Sequence, residues 1–252
     1  MAETNMSVIL LAHTQLSDDF KEKRFGIEGH TFKNPNETDG QSVALSAIRT
    51  CYSPGKPSEI VAKEGAKYFG KQATDGEAGT EADRLFRMIV RSGHTSTLEH
   101  LSFTFAIEGV SRALLAQLTR HRVGFSYSVQ SQRYVRFGSN DRSGGFDYVI
   151  PDKVREKGVG AMAVFKASMS GMQADYDALR EQGVSAEDAR AVLPQAATCN
   201  LVMTANLRAL LEFYAKRQPG KGAQSEIAQL AEELKAAVIS VEPWTEQFFA
   251  TK

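Results

Sequence analysis

The chain has 252 residues, with thirty basic and thirty acidic side chains, so its formal net charge is zero. That length suffices for one large domain with a substantial core, and the 42% apolar and 24% charged fractions are those of an ordinary globular protein. The charge balance excludes a globally basic nucleic-acid binder, the two cysteines (Cys51 and Cys199) provide no disulfide framework, and no stretch approaches the roughly 20 apolar residues of a membrane span.

SVILLAHT, residues 7–14, reads as a first strand, β-rich and ended by polar residues. Its apolar run is too short for a signal peptide and lacks a basic leader, so a cytoplasmic location is expected. Residues 17–40 are polar and rich in Gly and Asn, and read as a loop or irregular helix-loop. Val43, Leu45, Ile48 and Tyr52 have helical spacing, and that helix stops at SPGKP. Residues 53–79 read as loop-rich with one helix near 58–69. Thr80 and Asp83 form a capping pattern for the next helix, whose apolar face is Leu85, Phe86, Ile89 and Val90, and Gly93 suits its end. In EHLSFTFAIEG, residues 99–109, Leu101, Phe103, Phe105 and Ile107 alternate with polar or small residues, which predicts a half-buried strand.

SRALLAQLTR, residues 111–120, is helical, with Leu114, Leu115 and Leu118 on one stripe. After Arg122 the pattern breaks into Gly, Ser and Tyr, and QRYVRF, residues 132–137, reads as a strand. Residues 160–183 read as a long helix stopped by Gly183. Ser185 and Asp188 cap a short helix ended by Pro194, and helices are predicted over 204–217 and 225–241. Strands and helices interleave without a repeated βαβ rhythm. The expected fold is therefore α+β: a single compact domain over 1–252, with a mixed or antiparallel sheet flanked by helices and a largely helical C-terminal half.

Standard chemical motifs are mostly missing. No Gly-x-Gly-x-x-Gly follows a strand, and there is no Walker A sequence, Cys-x-x-Cys pair or nucleophile elbow. His94 and His100 lack the usual zinc spacing and a nearby third ligand, so no metal is expected. What stands out is arginine. From Gly109 to Asn140 there are five arginines, no lysine and no acid, and LTRHRVGFSYSVQSQRYVRF, residues 118–137, holds Arg120, Arg122, Arg133 and Arg136 with His121. Lysine would suffice for solubility, whereas arginine favours planar, bidentate recognition of phosphate or carboxylate. Crowded like charges repel, so an anion is their natural compensation. Any single arginine at a helix end can instead simply complement the helix dipole.

RHR, a spacer, Ser131 and then QRY resembles the RHR-x7-S signature of flavin-dependent thymidylate synthases. The flanks agree over nearly the whole chain. SGHTSTLEHLSFTFAIEG resembles that family's Gly-His…Glu-His segment, and LLAQLTRHR its Gln-x-x-Arg-His-Arg helix end. ARAVLP, NLRALLEFYAKR and SEIAQLAEELK resemble its C-terminal half. The resemblance implies a homotetrameric flavoprotein methyltransferase of nucleotide biosynthesis, with active sites between subunits. It would make dTMP from dUMP with FAD, NADPH and methylenetetrahydrofolate, on no membrane and no nucleic acid.

By that resemblance the flavin residues are His94, Ser96, Glu99, Arg120, His121, Arg122, Asn206 and Arg208. Glu99 can equally begin a strand, and Asn206 can equally cap a helix. The dUMP residues are Gln117, Ser131, Gln132, Arg133, Arg190 and Arg217. Ser131 and Arg133 would serve the phosphate, with Arg190 closing the other side. Arg217 would face the pyrimidine carbonyls, where fixed positive charge stabilises an enolate-like ring. Arg217 and Ser131 are thus the catalytic candidates, Ser131 for binding and positioning, since no base stands near it in sequence. This chain departs from the pattern in four places, one of them Val129, which stands two before the serine where an acid or amide is expected, with Gln130 one place late. Eight residues, not seven, separate Arg122 from Ser131, the extra one falling near Val123–Gly124. Glu212 stands where the family often has His or Asn beside the flavin. Gly222 stands where a histidine often follows the last arginine. Two alternatives remain: a single-strand nucleic-acid-binding module that stacks bases on Phe125, Tyr127 and Tyr134 of segment 118–137, and another nucleotide-handling flavoenzyme on the same scaffold.

Overall fold

The computed structural model describes residues 1–25 and 37–249. Residues 26–36, part of the stretch read as loop, lie outside the described residues. Strand β1 (Ser7–His13) is followed by α1 (Asp18–Phe25), α2 (Asp39–Tyr52), α3 (Pro57–Phe69) and α4 (Glu81–Arg91). A short 3-10 helix (Thr95–His100) leads into β2 (Ser102–Ser111), α5 (Arg112–Leu118) and β3 (Phe125–Val129). Then come α6 (Asp152–Glu156), α7 (Val159–Glu181), α8 (Ala186–Ala189), β4 (Thr198–Asn206), α9 (Leu207–Arg217), α10 (Ser225–Val241) and α11 (Glu246–Phe249). The α+β expectation holds. One four-stranded antiparallel sheet has the order β1-β2-β4-β3.

The chain forms two compact units. The first comprises Met1–Ile9, Phe105–Met203 and Lys216–Glu233; the second comprises Leu10–Thr104, Thr204–Ala215 and Leu234–Lys252. In the first, Phe137, Phe146, Tyr148, Ile150, Met169 and Tyr176 form a buried cluster that includes one face of α7. Buried Gln173 of α7 fastens the long connection after β3: its Oε1 accepts from Phe146 N–H at 2.9 Å and its Nε2 donates to Phe137 O at 2.8 Å. In the second unit α2, α3 and α4 pack together, burying Leu45, Ile48, Ile60, Phe86 and Ile89. Each such side chain is worth about 1.5–3 kcal/mol when withdrawn from water. Two capping boxes start helices here: Thr38 with Gln41 for α2, and Thr80 with Asp83 for α4. Gly93, at φ +78°, terminates the α4 segment in the left-handed region that glycine alone enters without penalty. Buried Arg87 pins the 70–80 connection through Asp75, with Nε to Oδ2 at 3.0 Å and Nη2 to Oδ1 at 2.9 Å.

Two sequence expectations need correction. QRYVRF is not a strand: Ser131 Oγ accepts from Arg133 N–H at 3.2 Å and Ser131 O from Val135 N–H at 2.9 Å, which curls the segment into turns. The strand lies just before it, in FSYSV, where exposed Ser126 and Ser128 alternate with half-buried Phe125, Tyr127 and Val129. The second half also contains a strand, β4, over a stretch to which the sequence spacing assigns no element, and it overlaps the expected helix of 204–217 at its last three residues. In β4, Cys199, Leu201, Met203 and Ala205 are buried and alternate with more exposed neighbours. Residues 204–206 end this strand rather than beginning α9. Among the described residues no helix is long and apolar enough to cross a membrane.

Candidate functional site

The arginine-rich segment begins at α5. Ser111 caps that helix, its Oγ accepting from Leu114 N–H at 3.0 Å. The cap is held in turn by Glu226 of α10, which accepts from Ser111 N–H at 2.7 Å and Ser111 O–H at 2.6 Å. After Leu118 the chain turns, and Phe125 N–H donates to Arg122 O at 3.2 Å. Gly124 sits inside this turn at φ +75°. There a side chain would cost about 1 kcal/mol or more, so glycine accommodates the extra residue of this segment. Tyr127 O–H reaches the carbonyls of Leu118 and His121, at 3.1 and 2.7 Å, and burial pushes its phenol pKa up. The Phe125 and Tyr127 rings stack on each other at 5.9 Å and 6°. Of the three rings available for base stacking, Tyr134 is the exposed one.

Arg120, Arg122 and Arg136 are exposed and form no ion pair among the described residues. Arg133 differs: its Nε lies 2.5 Å from Glu187 Oε1, and its guanidinium lies 5.8 Å from the Tyr134 ring. Arg217, at the end of α9, reaches back to the same segment. Its Nε donates to His121 Nε2 at 3.1 Å and its Nη2 to Gln117 O at 3.4 Å. Gln117 Nε2 also donates to Gln224 Oε1 at 2.5 Å. Burial, then the charges of Arg217, Lys216 and Arg120, lower the His121 pKa from its ordinary value to about 4. The imidazole is therefore neutral at pH 7.

A cavity of about 850 Å³ opens beside α5 and α8, with Arg112, Thr119, Gln132, Glu187, Asp188 and Arg190 among its lining residues. Gln132 is 92% buried, being only 8% exposed. Arg190 Nε donates to Glu187 O at 2.9 Å, which fixes the guanidinium against α8. Two guanidinium groups and a buried amide thus line one space with two carboxylates, Glu187, which pairs with Arg133, and Asp188, which accepts from the Ser185 hydroxyl at 3.0 Å. A phosphate dianion suits these donors. The structure brings Gln132 and Arg190 into this cavity, Gln117 into the Arg217 cluster, and Ser131 with Arg133 into the adjoining turn. Arg112 had been counted in the arginine run without a role. Its position one residue after the α5 cap was the only available signal that it would point from a helix start.

The remaining candidates lie in the second unit. His94 Nδ1 is 2.7 Å from Tyr52 O–H; Tyr52 had been read only as part of the apolar stripe of its helix. Ser96 and Glu99 sit on the exposed side of the 3-10 helix. Arg208 Nη1 donates to Glu99 Oε1 at 2.7 Å and its Nε to Glu212 Oε1 at 3.0 Å. Asn206 does cap a helix, its Oδ1 accepting from Ala209 N–H at 2.9 Å. One guanidinium between two carboxylates is net negative. Such a cluster suits hydroxyl and ring N–H donors better than a pyrophosphate. Nucleophilic chemistry at Cys199 is disfavoured, because it is buried and burial pushes its thiol pKa up despite Arg112 nearby.

Residues 35–244 match the family described as thymidylate synthase complementing protein. The chain is 40% identical over 207 residues to the flavin-dependent thymidylate synthase of Geobacter sulfurreducens, covering 81% of this chain and 80% of that one. It is 43% identical over 185 residues to the protein of the same name from Nitratidesulfovibrio vulgaris, covering 70% and 69%. Among solved structures it resembles the UMP/dUMP methylase PolB from Streptomyces cacaoi bound with 5-Br dUMP, at TM-score 0.70 and 20% identity over 98% of this chain and 96% of that one. It also resembles Thymidylate Synthase X from Helicobacter pylori with FAD and dUMP, at TM-score 0.59 and 23% identity over 97% of both chains. At those identities the likeness shows a shared fold.

Proposed function

Because the chain belongs to the thymidylate synthase complementing protein family, that of the flavin-dependent thymidylate synthases, we propose that it methylates dUMP to dTMP, with methylenetetrahydrofolate as carbon donor, bound FAD, and NADPH as reductant. The observation that carries this reading is the cavity in which Arg112, Arg190 and buried Gln132 face one another. Their donors match a mononucleotide phosphate, which is dianionic near neutral pH. Ser131 and Arg133 complete the phosphate end: Ser131 keeps its hydroxyl proton for a ligand, and Arg133 exchanges Glu187 for the anion. Gln117 and Arg217 serve the uracil. A fixed positive charge beside the pyrimidine carbonyls stabilises the negative charge that develops when C5 becomes nucleophilic.

The flavin has candidate ligands of two kinds. Arg120 and Arg122 are exposed and without an ion pair among the described residues, which suits a pyrophosphate. His94, Ser96, Glu99, Asn206 and Arg208, with Glu212, offer acceptors and oriented dipoles for hydroxyls and ring N–H groups. FAD, when bound, supplies the hydride that the protein cannot. The chain's own part is to bind, orient and polarise, so neither Cys51 nor Ser131 acts as a covalent nucleophile. The same reading makes the working enzyme a homotetramer with active sites shared between subunits. The test is the visible spectrum. Purified protein takes up FAD; NADPH bleaches the flavin, and adding dUMP with methylenetetrahydrofolate restores its colour. Protein that binds no FAD, or whose reduced flavin is indifferent to dUMP and the folate, refutes the proposal.

A further inference from the structure

We infer that a second cavity of the first unit holds the p-aminobenzoylglutamate end of the folate; the inference rests on the reaction proposed above. This cavity measures about 540 Å³, with Gln130, Tyr134, Arg136, Asp141 and Arg142 among its lining residues. Its volume falls within the roughly 300–1,000 Å³ of small-molecule sites. Arg136 is the one arginine of segment 118–137 that the proposed dUMP and flavin sites leave without a role. Like Arg142 it is exposed and forms no ion pair among the described residues. Asp141, the one acid in this lining, turns to its own backbone, its Oδ2 accepting from Gly138 N–H at 2.8 Å.

The backbone beneath these side chains is fastened. Phe137 N–H donates to the hydroxyl of buried Tyr176 at 3.3 Å, and Ser143 O–H to Arg136 O at 2.8 Å. Ser139 N–H and O–H both donate to Asp177 of α7, at 2.9 and 2.6 Å. A loop tied to a rigid helix in this way presents its long side chains from a fixed base. Tyr134 is a large ring left 81% exposed. An exposed ring beside unpaired guanidinium groups suits a planar aromatic that carries carboxylates, the ring by stacking and the acids by bidentate pairing. The folate tail is such a group: a benzene ring joined through an amide to a glutamate. One turn separates this cavity from the one proposed for dUMP, since Gln132 lines the first and Gln130 and Tyr134 line the second. A carbon donor must lie against C5 of the uracil, so its tail leaves beside the nucleotide. NADPH has only to reach the flavin, and the position therefore favours the folate over the anionic adenosine of the coenzyme.

The test compares folate with pteroate, which lacks the glutamate, by titration calorimetry on full-length protein supplied with FAD and dUMP. Wild type should bind folate more tightly than pteroate. The double variant Arg136→Gln/Arg142→Gln should bind folate about 2- to 30-fold more weakly, the worth of two exposed ion pairs at roughly 1.4- to 5-fold each, and bind pteroate as wild type does. In turnover, its KM for methylenetetrahydrofolate should rise by the same factor, with kcat, flavin content and the KM for dUMP unchanged. Wild-type protein with no preference for folate over pteroate, or a variant that keeps the whole preference, overturns the inference. A KM that rises for NADPH and not for the folate gives the cavity to the coenzyme and overturns it as well. Folate and pteroate discriminated as expected by protein that forms no dTMP refutes the proposed reaction and leaves the tail site established.

Discussion

Replacing Arg217 by lysine keeps the positive charge and removes the planar fork. In the native protein the guanidinium is held by His121 Nε2 at 3.1 Å and Gln117 O at 3.4 Å, through its Nε and Nη2. A lysine ammonium is a single point on a flexible stem. If it satisfies His121 Nε2 it cannot also reach the uracil; if it reaches the uracil it gives up the His121 contact. Either way one hydrogen bond involving a charged group is lost. Such a bond is worth about 1.5–3 kcal/mol, or about 10- to 150-fold in rate at roughly 1.4 kcal/mol per decade. The assay is release of the C5 hydrogen of dUMP by FAD-loaded Arg217→Lys at saturating NADPH and methylenetetrahydrofolate, with bound flavin read from its absorbance. The expected result is that loss in turnover with flavin content unchanged. Equal loss of turnover and flavin would show that Arg217 serves the cofactor, and unchanged turnover would refute any catalytic role for the fork.

Thr80→Ala removes the α4 cap, in which Thr80 Oγ1 accepts from Asp83 N–H at 3.4 Å and Thr80 N–H donates back to Asp83 Oδ2 at 2.7 Å; urea unfolding should show a loss of about 0.5–2 kcal/mol, largely restored in Thr80→Ser. Glu242 supplies a pH prediction. It is 1% exposed, burial pushes its carboxyl pKa up, and Thr38, Trp244 and the charge of His13 oppose that shift. A raised folded-state pKa means that its stabilising contribution is complete below the ordinary carboxyl pKa and is lost as pH rises through the folded value. Glu242→Gln does not titrate, so its Tm relative to wild type should climb between pH 4.5 and 8. A difference that is flat or falls with pH contradicts the assigned direction.

Local signals in the sequence were sound where one residue type answers one steric need. The Thr80–Asp83 box, Gly93 as helix end, and the alternation of Leu101, Phe103, Phe105 and Ile107 all appear where expected. The strands β3 and β4 escaped the sequence reading for different reasons. β3 is only five residues long, too short for the alternation of Phe125, Tyr127 and Val129 with two serines to stand out. β4 buries Cys199, Met203 and Ala205 beside Leu201, residues with weak strand preference, and runs directly into α9 with no loop to separate them. Asn206 both ends the strand and caps the helix, so helical spacing could be traced backwards through it. The site was legible as a set of arginines but not as an arrangement. Arg217 meets His121 across 96 positions, and Arg208 meets Glu99 across 109; no local pattern predicts such pairings. The acids that temper the arginines, Glu187 and Glu212, stand outside the acid-free run that first drew attention to them.

The central claim is that converging guanidinium groups prepare the uracil of dUMP for methylation at C5. Its most direct test is hydrogen release from C5-labelled dUMP by FAD-loaded protein, with NADPH and methylenetetrahydrofolate supplied together and each withheld in turn. Release of label matched by dTMP formation, abolished without dUMP's partners and reduced in Arg190→Ala through a raised KM for dUMP, is the predicted result. Protein that holds FAD and dUMP yet never frees the C5 hydrogen contradicts the account.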